Sequence, residues 1–183
     1  MGEYDEAKTV RDARELYFDL NGFSAATYSE PWVRFKVGFL PVVFPNTASR
    51  KRAIPLHDLH HIATGYATTL VGEAEIGAWE VGGSCTNYWA AWVLNLSAVW
   101  YGLLIAPHRV YRAFVRGRHS RTLYRSGWSD ALLNISVGEL RASVLPPGEV
   151  RATWEDRAAF AACIALVMAP TVALMLLARA LLA

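Results

Sequence analysis

Residues 57 to 73 read His-Asp-Leu-His-His-Ile-Ala-Thr-Gly-Tyr-Ala-Thr-Thr-Leu-Val-Gly-Glu, and the folding of this stretch decides the architecture. On an α-helix each residue advances about 100°, which sets His57, Asp58 and His61 at about 0°, 100° and 40° round the axis, all on one side. Two imidazoles at i and i+4 with a carboxylate beside them have the donor types and spacing that a divalent first-row metal takes. In one straight helix Glu73 would stand about 18 Å from His61, too far to share an ion. Gly65 suits a helix C-terminus, and Thr68 or Thr69 suits the N-cap of the next helix. The spacing therefore predicts an antiparallel helix hairpin, turning at residue 67 and returning Glu73 to the level of His61. Glu80 shares the face of Glu73, with Gly77 between them for close approach of a neighbouring helix or ligand. Glu75 is expected to point elsewhere, into solvent. His60 falls outside the pattern and is expected behind the ligands or at the surface. The competing reading is a polar helix start, with Asp58 favoured by the helix dipole and the histidines bonded to backbone.

Outward from this hairpin, residues 5 to 20 read as a charged amphipathic helix with Val10, Ala13, Leu16, Tyr17 and Leu20 at helical spacing, ended by Asn21-Gly22. The run from Trp32 to Leu40, between Pro31 and Pro45, alternates at its start and suits an extended piece, since Pro41 and Pro45 forbid a long helix. The basic triplet Arg50-Lys51-Arg52 follows, and Pro55 is placed to open the helix that carries the histidines. Tyr88 to Ala106 and Ala158 to Ala178 are apolar runs long enough to cross a bilayer. The second suits a span better than the first, and the competing reading is a buried core helix. Pro146-Pro147-Gly148 reads as a linker, dividing a domain of residues 1–150 from an apolar C-terminal helix in 151–183.

The 183 residues fit one domain of ordinary size. At 54% hydrophobic and 19% charged, the chain is too apolar to be disordered and suits a membrane or a large lipid as partner. The net charge of +2 hides segregation: no Asp or Glu occurs from Val81 to Ser129, where six arginines cluster between Arg109 and Arg125. Arg109, Arg112 and Arg116 share a helix face and are expected to meet anionic lipid headgroups or phosphate on the cytoplasmic side. Nucleic acid is disfavoured, since apolar runs flank the cluster. Tyr88, Trp89, Trp92, Trp100 and Tyr101 suit either core or an interfacial belt. Cys85 and Cys163 are too far apart in sequence for a paired zinc motif or a disulfide framework, and the charged first twenty residues lack the apolar centre of a secretory signal. Five histidines are too few for a membrane di-iron hydroxylase, and no Gly-x-Ser-x-Gly elbow supports a serine hydrolase.

The pattern His57-Asp58-x-x-His61-x11-Glu73 resembles the signature of the coenzyme Q biosynthesis family known as Coq four, with no gap in the spacing. The resemblance extends to Pro45-Asn46-Thr47 upstream and Val137-Gly138-Glu139-Leu140-Arg141 downstream, roughly residues 15 to 147. The apolar tail beyond about residue 158 departs from the family pattern. The resemblance implies an all-α helical bundle with a lipid-binding cavity. It implies that His57, Asp58, His61 and Glu73 hold a divalent metal, expected to be zinc, with catalytic roles; His60 and Glu80 are not part of that signature and are candidates to stand behind the ligands. The activity implied is ubiquinone assembly, namely removal of the C1 ring carboxylate of a prenylated hydroxybenzoate coupled to its replacement by hydroxyl. The implied partners are a prenyl or other long-chain lipid, the membrane, other quinone-biosynthesis enzymes and a second copy in a homodimer. The alternative is a non-catalytic lipid-binding scaffold that presents prenylated intermediates to partner enzymes.

Overall fold

The computed structural model describes residues 4–37 and 40–182. Gly38 and Phe39 of the expected extended run lie outside the described residues, as do residues 1–3 and 183. The described chain is all-helical apart from one hairpin. Helix α1 (Val10–Asn21) starts later than residue 5, because Asp5 to Lys8 form a turn and Lys8 to Val10 pair with residues 135–137. Val10 N–H donates to Ile135 O at 2.9 Å and Val137 N–H to Lys8 O at 2.9 Å. The Thr9 hydroxyl accepts from Asp12 N–H as N-cap. The buried stripe is Val10, Ala13, Tyr17 and Phe18, so Leu16 and Leu20 fall on the exposed side. Strands β1 (Trp32–Val37) and β2 (Leu40–Pro45) pair antiparallel, with Trp32 opposite Pro45.

Helix α2 (Ala48–Thr64) corrects the expected role of Pro55. The helix already begins at Thr47, whose hydroxyl accepts from Arg50 N–H, and Pro55 lies inside it. A proline there gives up the bond to Lys51 O. Leu56, Leu59 and Ile62 of α2 are fully buried. Burying one such side chain contributes about 2 kcal/mol, which keeps the helix in place around the proline.

Helix α3 (Leu70–Gly83) wedges between α4 (Trp89–Ile105) and α5 (Pro107–Arg118). Close approach is possible because the contact points lack side chains. A Cβ on Gly117 would stand 2.1 Å from Trp79 O, and one on Gly82 would stand 2.3 Å from Phe114 O. Helix α4 buries Ala90, Ala91, Asn95, Val99 and Gly102, and it exposes Trp89, Val93 and Leu104. Its aromatic residues therefore divide: Tyr88, Trp92 and Tyr101 pack against the core, and Trp89 and Trp100 are exposed. Helix α6 (Val137–Val144) is closed by a capping box of Ser136 and Glu139.

Among the described residues, helix α7 (Trp154–Leu182) is tied down as far as Thr171. Asp156 accepts from Arg118 Nε at 2.6 Å, Phe160 packs on Tyr111 and Phe114, and Cys163 and Val167 are buried. Trp100 Nε1 donates to Thr171 Oγ1 at 3.0 Å. Beyond that point Leu174, Met175, Leu176, Leu177 and Leu181 are exposed. Residues 154 to 181 make one helix long and apolar enough to cross a membrane.

Candidate metal centre

The turn between α2 and α3 falls where the spacing places it. Gly65 closes α2 at φ 75°, its N–H donating to His61 O, and the Thr69 hydroxyl caps α3 by accepting from Gly72 N–H. Gly65 is suited to this left-handed position because it carries no Cβ. Glu73 then lies in the first turn of α3, beside the last two turns of α2.

Three donors converge. His61 Nε2 is 3.2 Å from His57 Nε2 and 3.4 Å from Glu73 Oε1, and His57 Nε2 is 3.5 Å from Glu73 Oε2. The partners of the opposite ring atoms fix what these nitrogens are. Tyr66 O can only accept, so His61 Nδ1, at 2.8 Å from it, carries the proton and Nε2 presents a lone pair. His57 Nδ1 likewise donates to Glu80 Oε1 at 2.9 Å. Two lone pairs and a carboxylate thus face one point, an arrangement that needs a cation or a proton between them. His57, His61 and Glu73 could hold a metal ion.

Behind His57, the Glu80 carboxylate is fully buried and has four donors. Oε1 accepts from His57 Nδ1 and from His60 Nδ1 at 2.6 Å, while Oε2 accepts from Asn95 Nδ2 and from the Tyr124 hydroxyl at 2.9 Å. His60 accepts the Leu123 N–H at Nε2, 2.8 Å away. Both His60 and Glu80 therefore stand behind the donors. Burial disfavours charge on His57, but Glu80 and Glu73 outweigh it and raise its pKa well above 6.5. Burial dominates at His60 and lowers its pKa. Burial would raise Glu73, yet hydrogen bonds from His57 and His61 bring it down to about 2. Glu80 is also held below the usual carboxylate range, against its burial, chiefly by His57.

Asp58 differs from the expected four-ligand set. Its carboxylate turns from the three donors and accepts from Tyr28 OH at 2.5 Å and Tyr17 OH at 3.4 Å. Burial raises its pKa. The same Tyr17 ring stacks on His61, with centroids 5.8 Å apart, so Asp58 orients a ring that supports a ligand. Glu75 corrects another expectation: it is buried and takes a bidentate pair from Arg109 at 2.8 and 2.6 Å. Arg116 donates to Thr64 O and lies over the Tyr66 ring, whereas Arg112 is exposed. The sequence places Tyr17 only on the apolar face of α1, and no spacing flags Tyr28 or Tyr124. Asn95, a lone amide in an apolar run, was the one visible signal. Comparison with family models, characterised proteins and solved structures returns no match to this chain. The functional reading therefore rests on the residues themselves.

Proposed function

We propose that this chain is a membrane-associated protein of the Coq four type, acting at the cytoplasmic face on a prenylated aromatic acid in ubiquinone assembly. The reaction would remove the C1 carboxylate as carbon dioxide and place a hydroxyl on the same carbon, a two-electron oxidation requiring an external oxidant such as dioxygen. One observation carries the reading. The two Nε2 atoms are 3.2 Å apart and each lies beside a different oxygen of the Glu73 carboxylate, Oε1 at 3.4 Å from His61 and Oε2 at 3.5 Å from His57, spacings close to the roughly 3.3 Å between neighbouring ligands of a tetrahedral ion with bonds of about 2.05 Å. That fit supports zinc on His57, His61 and Glu73, with the fourth position open as in catalytic sites.

A divalent ion there supplies Lewis-acid stabilisation of negative charge on the reacting group. The chain's own residues do the remainder. Glu80 keeps the proton of His57 on Nδ1, and the Tyr66 carbonyl does the same for His61, so both Nε2 atoms face the open position. Trp79 and Tyr124 flank His60 and wall off the rear. Glu73, about one-third exposed, leaves a way in. The first turn of α3 packs on Gly102 near the C-terminal end of α4, where Leu104 and Ile105 are exposed and α7 runs on past Trp100. A lipid-tailed ring can approach Glu73 from that end.

The test is complementation of a strain deleted for its Coq four protein, followed by mass spectrometry of quinone intermediates. Restored quinone with the wild-type chain, and accumulation of the ring-carboxylated intermediate with His61→Ala, is the expected result. Restoration by both would remove the catalytic reading. A His57→Ala variant that keeps lipid binding but loses turnover separates enzyme from scaffold.

A further inference from the structure

Most arginines that approach a carboxylate in this fold are held by it: Arg109 by Glu75, Arg118 by Asp156 and Arg141 by Glu6. Arg14, Lys51 and Arg52 are different. None makes an ion pair among the described residues, yet all three line one open cavity of about 530 Å³ between α1, the first half of α2 and the start of α4. The Arg14 guanidinium lies between the Phe18 and Trp128 rings, 5.6 and 5.9 Å from their centroids. Its Nε is buried with no hydrogen-bond partner. Arg52 lies over Tyr88 at 5.9 Å, and Lys51 Nζ donates only to Ser29 O, at 2.9 Å. Among the described residues two carboxylates touch lining residues, and each is bound by an aromatic donor: Asp130 by the Trp128 indole at 3.1 Å and Asp58 by the Tyr28 hydroxyl at 2.5 Å.

Stacking on aromatic faces fixes a guanidinium plane and leaves its N–H edges free for a bidentate oxyanion. Three uncompensated cations in one groove repel one another unless an anion joins them. A smaller adjoining cavity of about 270 Å³ shares Arg52 and Tyr88 and adds Arg125 and Ser126. Charge of this multiplicity matches a phosphate dianion better than a single carboxylate, and Tyr28, Tyr88 and Trp128 offer flat walls to whatever carries it. We propose that this groove, separate from the metal donors, is a binding site for a phosphate group, carried by a free phosphate ester or by a lipid headgroup. It does not rest on the Coq four reading. It uses Lys51 and Arg52 of the basic triplet at residues 50–52, for which that reading has no role.

The test is calorimetry on the full chain in detergent, with phenyl phosphate as the free probe. Phosphatidylcholine vesicles with and without phosphatidic acid test the headgroup. Lys51→Gln with Arg52→Gln removes two partly or fully exposed cations, and Arg52→Gln alone serves if the pair fails to fold. The control is Lys8→Gln with Arg151→Gln, exposed cations outside the groove. We expect phenyl phosphate or the phosphatidic acid increment, whichever the protein prefers, to bind at least about tenfold more weakly in the groove variant and unchanged in the control. Binding should persist in His61→Ala and weaken with salt. Equal binding by wild type and groove variant, loss in His61→Ala instead, or no response to either probe would overturn the site.

Discussion

His57 Nδ1 and Glu80 Oε1 lie 2.9 Å apart, a contact that joins a partly exposed imidazole of the candidate metal centre to a fully buried carboxylate. Through it the interior of the bundle sets which nitrogen of His57 faces the open side. The site therefore has two layers: His57, His61 and Glu73 in front, Glu80 and His60 behind.

The front layer predicts stoichiometry. Elemental analysis of purified protein should give about one divalent ion per chain, and His61→Ala should abolish it, since two remaining donors hold an ion poorly. Equal metal in both preparations would contradict the assignment.

Asp58 and Glu73 should behave oppositely. Glu73→Ala is expected to lose metal with little change in circular dichroism, because its side chain is about one-third exposed. Asp58→Ala is expected to keep metal but to lower stability by about 1–3 kcal/mol, the cost of leaving the Tyr17 and Tyr28 hydroxyls without their acceptor. Loss of metal in Asp58→Ala without loss of stability would restore the four-ligand set.

Glu80→Gln should cost more than either. Glutamine presents an NH2 to groups that are themselves donors, so at least one of the four contacts becomes a clash of donors. We expect about 3 kcal/mol or more off the denaturant-derived stability and a metal affinity about 10- to 100-fold weaker. A neutral effect on both would sink the buried-carboxylate account.

The metal-free protein should show a defined acid limb. Glu73 falls from its ordinary 4.5 to about 2 on folding, so between these values the unfolded chain binds more protons. Stability is present above about 4.5 and is lost as pH falls toward 2. His57 has the opposite sign: its raised pKa contributes stability below 6.5 that disappears as pH rises through the folded value. Chemical denaturation across pH should give a flatter acid limb for Glu73→Gln than for wild type.

The tail divides at Thr171. Residues 172–181 are exposed and, apart from Arg179, apolar, so on removal of residues 172–183 the protein should leave the membrane fraction while keeping its cooperative unfolding and any metal it binds. Removing residues 158–183 also uncovers Phe114 and Tyr111, and is expected to cost stability or to cause aggregation. Flotation and thermal melts of the two truncations distinguish these outcomes. If the shorter deletion also unfolded the protein, the second half of α7 would belong to the core.

Much of this was legible because helical periodicity and capping are local. Gly65, Thr69 and the i, i+4 histidines fix a turn and a face from residues within one or two turns of each other. Pro55 misled for a related reason: proline favours a helix start, but Thr47 caps earlier and the buried Leu56 and Leu59 hold the helix across it. The buried state of Glu75 and the exclusion of Asp58 from the donors were not legible. Each depends on a partner, Arg109 or Tyr28, at least 30 residues away in the chain. The aromatic and arginine residues divide between core and surface by tertiary contact alone.

The four donors to Glu80 come from three separate parts of the chain, α2, α4 and the turn at residue 124. A chain in which α4 or that turn has not docked cannot desolvate the carboxylate, and His57 then has no fixed orientation. An ion at His57, His61 and Glu73 would thus be held less firmly by any molecule whose interior is incomplete.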